Sequence, residues 1–110
     1  MEVRNRGSYE IAHREMVAEG ADLRVQVLTL VAGQRVPWHY HSEVTDSFVC
    51  LEGLTVVETR TPRETHQLKP GQRCAVGPNT AHTVHGIDDG PCKFMLIQGV
   101  GTYDFMPIVE

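Results

Sequence analysis

His39 and His41 are two residues apart, and Asp46 follows five residues later, all between Gly33 and Gly53 in the stretch GQRVPWHYHSEVTDSFVCLEG. In an extended strand a spacing of two returns side chains to the same face, so both imidazoles can reach one ion. Neutral imidazole nitrogens bind divalent first-row metals well, but two of them rarely suffice. Asp46 is the nearest acidic candidate: the intervening SEVT is long enough for a turn, after which a returning strand brings its carboxylate alongside the histidines. Glu43, inside that turn, is the alternative, with a longer reach but an orientation toward solvent. Downstream, KPGQRCAVGPNTAHTVHG places His82 and His85 behind a tight segment at 77–80. Their odd offset puts them on opposite faces of a strand, so at most one joins the first pair without a bulge.

The elements that must carry these residues are strands. After Gly20 no segment of useful length has a helical period; short runs rich in Val, Leu, Ile, Thr and Phe alternate with breakers containing Gly or Pro. Strands are expected at 14–18, 23–31, 36–41, 47–52, 54–60, 64–68, 73–76, 83–85 and 93–98. Leu23, Val25 and Val27 alternate with Arg24 and Gln26, which assigns the first set to a core face and the second to solvent. About nine short strands fit a sandwich or barrel, and a closed or double-sheet barrel leaves few unpaired edges. On parity, Phe48 and Cys50 point inward with Asp46, and either Met95 and Ile97 or Phe94 and Leu96 line the opposite wall. Cys50 lies about 13 Å along the strand from Asp46, too far to be a ligand to the same ion. Trp38, of opposite parity to the histidines, either walls the pocket entrance or packs outward. His13 and His66 have no spacing partner and are read as surface residues. The tail after Gly99, GVGTYDFMPIVE, folds back over the barrel or contacts a second subunit.

Composition bounds the function. A chain of 110 residues has room for one domain, taken as residues 1–110. The net charge is −4 and the ten Lys and Arg residues are scattered singly, so no basic stripe is available to nucleic acid. The N-terminus, MEVRNRGSYEIAHREMV, is charged throughout and does not read as a signal peptide. The longest apolar stretch, at 28–32, is far below the roughly 20 residues of a membrane span. Cys50, Cys74 and Cys92 are an odd set without paired spacing, which fits a reducing, cytoplasmic setting and small buried hydrophobes.

With these residues in place, the sequence resembles the cupin family. The first cupin motif reads Gly, five residues, His, any, His, three or four residues, Glu, six residues, Gly. Gly33, His39, His41 and Gly53 fall in register, with Asp46 at the glutamate position. The second reads Gly, five residues, Pro, any, Gly, two residues, His, three residues, Asn. Gly71 and His82 fit that frame, while Gly77 stands for Pro, Asn79 for Gly and Gly86 for Asn. Asn tolerates a left-handed backbone best among non-glycine residues, and Pro78 stiffens the same turn one residue late. Asp for Glu is the larger change: one methylene shorter, its carboxylate falls about 1.5 Å short unless the strand shifts, so that Asp46 ligates weakly or through water.

The resemblance implies a single all-β jelly-roll barrel, the double-stranded β-helix, with motifs at about 33–53 and 71–86. It implies one divalent transition metal ion, Fe, Mn, Ni, Co, Zn or Cu, held by His39, His41, Asp46 and His82. Phe48 lines the barrel below the ion, and His85 orients His82 or touches substrate. An open coordination position suits Lewis-acid chemistry on a small molecule. The expected function is therefore a metalloenzyme of dioxygenase, isomerase or lyase type, and a homodimer. A metal-dependent binding or sensor module without turnover is the alternative, because only His85 and Glu43 are visible as general bases.

Overall fold

Burial that alternates every second residue organises residues 9–108, the part that the computed structural model describes, into ten strands. They are β1 (His13–Glu19), β2 (Leu23–Leu30), β3 (Arg35–Tyr40), β4 (Thr45–Gly53), β5 (Thr55–Arg60), β6 (Arg63–Leu68), β7 (Arg73–Val76), β8 (His82–Gly86), β9 (Cys92–Gly99) and β10 (Met106–Pro107). All nine expected strands are present, with ends moved by no more than two residues, and β10 is the addition. Residues 1–8 of the charged N-terminal stretch lie outside the described residues, as do residues 109 and 110.

Two five-stranded antiparallel sheets result, ordered β1-β2-β9-β4-β7 and β10-β3-β8-β5-β6. Only β1–β2 and β5–β6 are hairpins within one sheet; every other connection crosses to the opposite sheet. That winding is a double-stranded β-helix, or jelly roll. Its interior is filled by Leu28, Leu30, Val36, Phe48, Cys50, Val57, Leu68, Val76, Val84, Cys92, Phe94 and Leu96. On β9, therefore, Phe94 and Leu96 form the inner wall, while Met95 and Ile97 face outward. All three cysteines are unpaired thiols; Cys50 and Cys92 are buried, and burial pushes the half-buried Cys74 up to about 11.

One expected face is reversed. On β2 the buried residues are Gln26, Leu28 and Leu30, whereas Leu23 is 39% exposed and Val25 and Val27 lie on the outer side. Local alternation reads the apolar set as the core, but pairing decides the face: Gln26 and Arg24 are aligned with Leu96 and Gln98 of β9, whose inner face is fixed by Phe94. Two cross-strand rows make the reason plain. Leu28, Phe94 and Cys50 form an apolar row; Arg24, Gln98 and Asp46, four residues further along, form a polar one. The opposite sheet changes in the same sense, from Val36, Val84 and Val57 to His39, His82 and Thr59. The barrel thus has an apolar floor and a polar mouth, and the candidate ligands sit at the mouth.

The turn from β8 into β9 begins at Gly86, at the far end of the strand that His82 opens. Gly86, at the position where the motif expects Asn, has an ordinary extended backbone, so conformation alone does not require glycine. Space does: a Cβ there would lie 2.0 Å from the carbonyl oxygen of Gly90, a backbone atom that cannot step aside alone. Gly86→Ala should lower stability by about 2–3 kcal/mol, the upper range for overpacking, read as a lower urea midpoint with unchanged slope. An unchanged midpoint would mean that this turn is free to open.

Candidate metal centre

His39 owes its orientation to an irregularity in β3. Val36 pairs with Val84 and His39 with His82, and the register shifts between them. This bulge lets Val36 and His39, three residues apart, both face inward. It also turns Trp38 away from the chamber, where the Arg60 guanidinium lies over its ring at 4.3 Å, which settles the alternative left open for Trp38. His41 follows one residue beyond β3. Its carbonyl accepts the N–H of Asn79 at 2.7 Å, and Asn79 adopts the left-handed conformation (φ 61) expected at that motif position. His82 opens β8, and Asp46 lies near the start of β4.

The four side chains converge. One ligand atom from each of His39, His41, Asp46 and His82 lies within 4.8 Å of the others, and all four residues are buried. Asp46 Oδ2 is 2.9 Å from Nε2 of both His41 and His82, and 4.0 Å from Nε2 of His39. The shorter aspartate therefore reaches the cluster with no shift in β4 at that point; the irregularity of β4 lies between Cys50 and Glu52. Ligands of one ion at about 2.0–2.2 Å lie at most about 4.4 Å apart, so the spread exceeds that limit by a few tenths of an ångström. Side-chain rotation closes such a gap, and the cluster fits a metal site.

The ring tautomers are set by the backbone. His39 Nδ1 is 2.7 Å from the Pro37 carbonyl oxygen and His82 Nδ1 is 2.8 Å from that of Thr80; His41 Nδ1 contacts the carbonyl oxygen of Asp104. A carbonyl only accepts, so each Nδ1 carries a hydrogen and each neutral ring turns its Nε2 lone pair toward the cluster. Burial, reinforced by repulsion from His82, pushes His39 down to about 3, so its imidazole is neutral at physiological pH. Burial also acts against the charged forms of His41 and Asp46. The hydrogen bond and attraction between them outweigh it, raising His41 and holding Asp46 well below the usual carboxylate range.

Asp46 has a second set of partners that sequence reasoning missed. Its Oδ1 accepts Gln98 Nε2 at 3.1 Å, Gln98 Oε1 accepts Gln26 Nε2 at 3.0 Å, and Gln26 Oε1 accepts Arg14 Nη1 at 2.6 Å. Both glutamines are buried. The one available signal was Gln98 directly opposite Asp46 on β4, with Gln26 two residues along on β2, which requires the pairing register to be known.

The tail folds back over the barrel, one of its two expected courses. The Thr102 N–H is accepted by Glu43 Oε1, the Asp104 carboxylate accepts the N–H and hydroxyl of Ser42, and β10 pairs with β3. Glu43 is thus an exposed anchor for the tail and not a member of the cluster. Phe105 stacks on His39 with ring centres 4.3 Å apart, and Tyr9 stacks on Phe105 at 5.8 Å. Below this cover the chamber, lined by Phe48, Gln98 and Tyr103 among others, has a volume of about 10 Å³, the scale of a single water. Phe48 meets His82 edge-on with ring centres 6.1 Å apart. His85 faces the other side of β8, where Nε2 lies 2.5 Å from Glu58 Oε2 and Nδ1 donates to the Gly86 carbonyl; it is not in the chamber lining. His13 is exposed, and His66 pairs with Glu64 at the surface.

Comparison with known proteins agrees with this architecture. An uncharacterised conserved protein with a double-stranded β-helix domain from Klebsiella pneumoniae subsp. pneumoniae superposes with a TM-score of 0.75 at 22% identity, covering 96% of this chain and 90% of that one. KdgF from Halomonas sp. gives 0.70 at 18% identity, covering 84% and 87%. An oxalate oxidase gives 0.69 at 10% identity, covering 79% of this chain and 46% of its own. No curated protein matches the sequence. The Cupin domain family model matches residues 26–98, and the chain belongs to the cupin family.

Proposed function

We propose that this cupin holds one divalent transition metal ion on His39, His41, Asp46 and His82, and uses it on a small molecule. The observation that carries the reading is the set of three buried rings, each with Nδ1 committed to a backbone carbonyl and Nε2 aimed at one carboxylate oxygen. Such an ion supplies Lewis acidity, or oxygen chemistry in the case of iron; Fe, Mn, Ni, Co, Zn and Cu all suit this donor set. The chain's own part is to orient the ligands, keep His39 neutral and exclude water beneath Phe105 and Tyr9. Dioxygenase, isomerase and lyase reactions fit this arrangement. Binding or sensing without turnover is the second reading. It is favoured by one observation: His85 and Glu43, the general-base candidates of the sequence, both lie outside the chamber lining. Phe48 shapes the chamber floor in either case.

The proposal takes residues 1–110 as one domain in the cytoplasm, consistent with three free thiols. It also includes a homodimer formed through the outer face of the first sheet. There Val25 pairs with Ile97, and Val27 and Val49 flank Met95, giving a partly exposed apolar row.

Protein purified without a histidine tag should carry about one metal ion per chain by elemental analysis, and His41→Ala or His82→Ala should lose it. Stoichiometric metal in both variants would remove these residues as ligands. Oxygen uptake or turnover across diols, thiols and oxo acids supports an enzyme, whereas saturable binding without turnover supports the sensor. Gln98→Leu removes the donor to Asp46 Oδ1, and metal affinity should fall about 10–100-fold; unchanged affinity would show that Asp46 is held without it. Light scattering should give twice the chain mass, and Met95→Glu should halve it.

A further inference from the structure

A second pocket adjoins the metal chamber. It has a volume of about 260 Å³ and is lined by Arg24, Gln98, Tyr103, Leu23, Thr102 and Glu19, among others. Gln98 and Tyr103 also line the chamber, so the two spaces share a wall. Arg24 lies in the polar row with Gln98 and Asp46, directly paired with Gln98 across β2 and β9. Strands are spaced about 4.8 Å apart, which puts the Arg24 and Asp46 backbones about 10 Å from one another on the same inner face.

Arg24 is held by Tyr103, and one of its donors, Nε, is left unsatisfied. Its side chain is 20% exposed, and its guanidinium lies over the Tyr103 ring at 4.0 Å. Nε is fully buried with no hydrogen-bond partner among the described residues. Among the described residues its ion-pair partner is Glu19, whose Oε2 is 3.8 Å away on a side chain that is 57% exposed, too far to accept a hydrogen bond and free to swing into solvent. A buried N–H of a permanent cation is costly to leave unpaired, and the guanidinium fork matches a carboxylate.

We propose that Arg24 and Tyr103 form an anion subsite beside the metal centre, and that the molecule bound there is a small carboxylate. Its carboxylate rests on Arg24 and its far end passes the Tyr103 wall toward the histidines. This rests on the metal-centre reading for the far end alone. The Arg24 contact needs no ion.

The test uses malonate and its neutral isostere malonamide as probes, titrated calorimetrically into metal-free and metal-loaded protein. Malonate should bind both forms, malonamide should bind neither through this contact, and Arg24→Gln should weaken malonate at least tenfold in each. Arg24→Lys, which keeps the charge but not the fork, should fall between them. Equal binding of the two probes, or equal malonate affinity in wild type and Arg24→Gln, overturns the subsite. Nuclear magnetic resonance of the wild type gives a readout independent of the variants' folding: malonate should shift the Arg24 Nε–H and Thr102 amide signals, and shifts elsewhere alone would count against the proposal. Metal content of the same samples is measured separately. Its absence would defeat the metal centre while leaving the result on metal-free protein to judge Arg24.

Discussion

A carboxylate that is 1% exposed cannot stay ionised unless its surroundings supply what water would. Asp46 imposes that constraint on the whole mouth of the barrel. One oxygen faces imidazoles from the opposite sheet, and the other is reached through Gln98 and Gln26 by the cationic side chain of Arg14 on the edge strand. At the floor the sheets are joined by apolar side chains. At the mouth they are joined by this polar chain. The change from one to the other occurs within a few residues on each strand, which explains why polar residues of β2 and β9 are buried while their valines, isoleucine and methionine face outward.

The sequence carries its strands and its metal-type residues well, because both are local. Period-two alternation marks nine strands, and the two-residue spacing of His39 and His41 places them on one face whatever their neighbours do. The opposite orientations of His82 and His85 follow from the same parity. What escapes is non-local. The inner face of β2 depends on its partner β9, so alternation alone selects the wrong side. The bulge near Pro37 depends on β8, and it supplies both the inward turn of His39 and the carbonyl that receives its Nδ1 hydrogen. The stacked cover of Tyr9 and Phe105 joins residues almost the full chain apart, and no periodicity announces it.

The nearest neighbours of the cluster also explain why it suits a cation. With hydrogen on each Nδ1, a neutral ring would point a lone pair at Asp46, acceptor against acceptor. Each of the two 2.9 Å contacts therefore requires an additional proton between ring and carboxylate, and the raised His41 is where the attraction of Asp46 favours one of them. A divalent ion satisfies the same lone pairs and the same negative charge at once. Proton and metal would thus compete for one set of atoms, and a metal bound there would displace protons.

His41 differs from the other two histidines in the source of its carbonyl. His39 and His82 take theirs from Pro37 and Thr80, each two residues upstream, so their orientation is fixed as soon as the local turn forms. His41 takes its carbonyl from Asp104, in the tail that lies across the mouth. The same tail carries Tyr103, shared between the two pockets, and Phe105, stacked on His39. A molecule larger than a single water cannot enter beneath Phe105 without moving this segment, and moving it withdraws the acceptor that fixes the His41 tautomer. Access to the chamber and the orientation of the His41 ring are therefore coupled through a single stretch of backbone. Two of the rings take their orientation from backbone two residues upstream, and the third takes it from the tail.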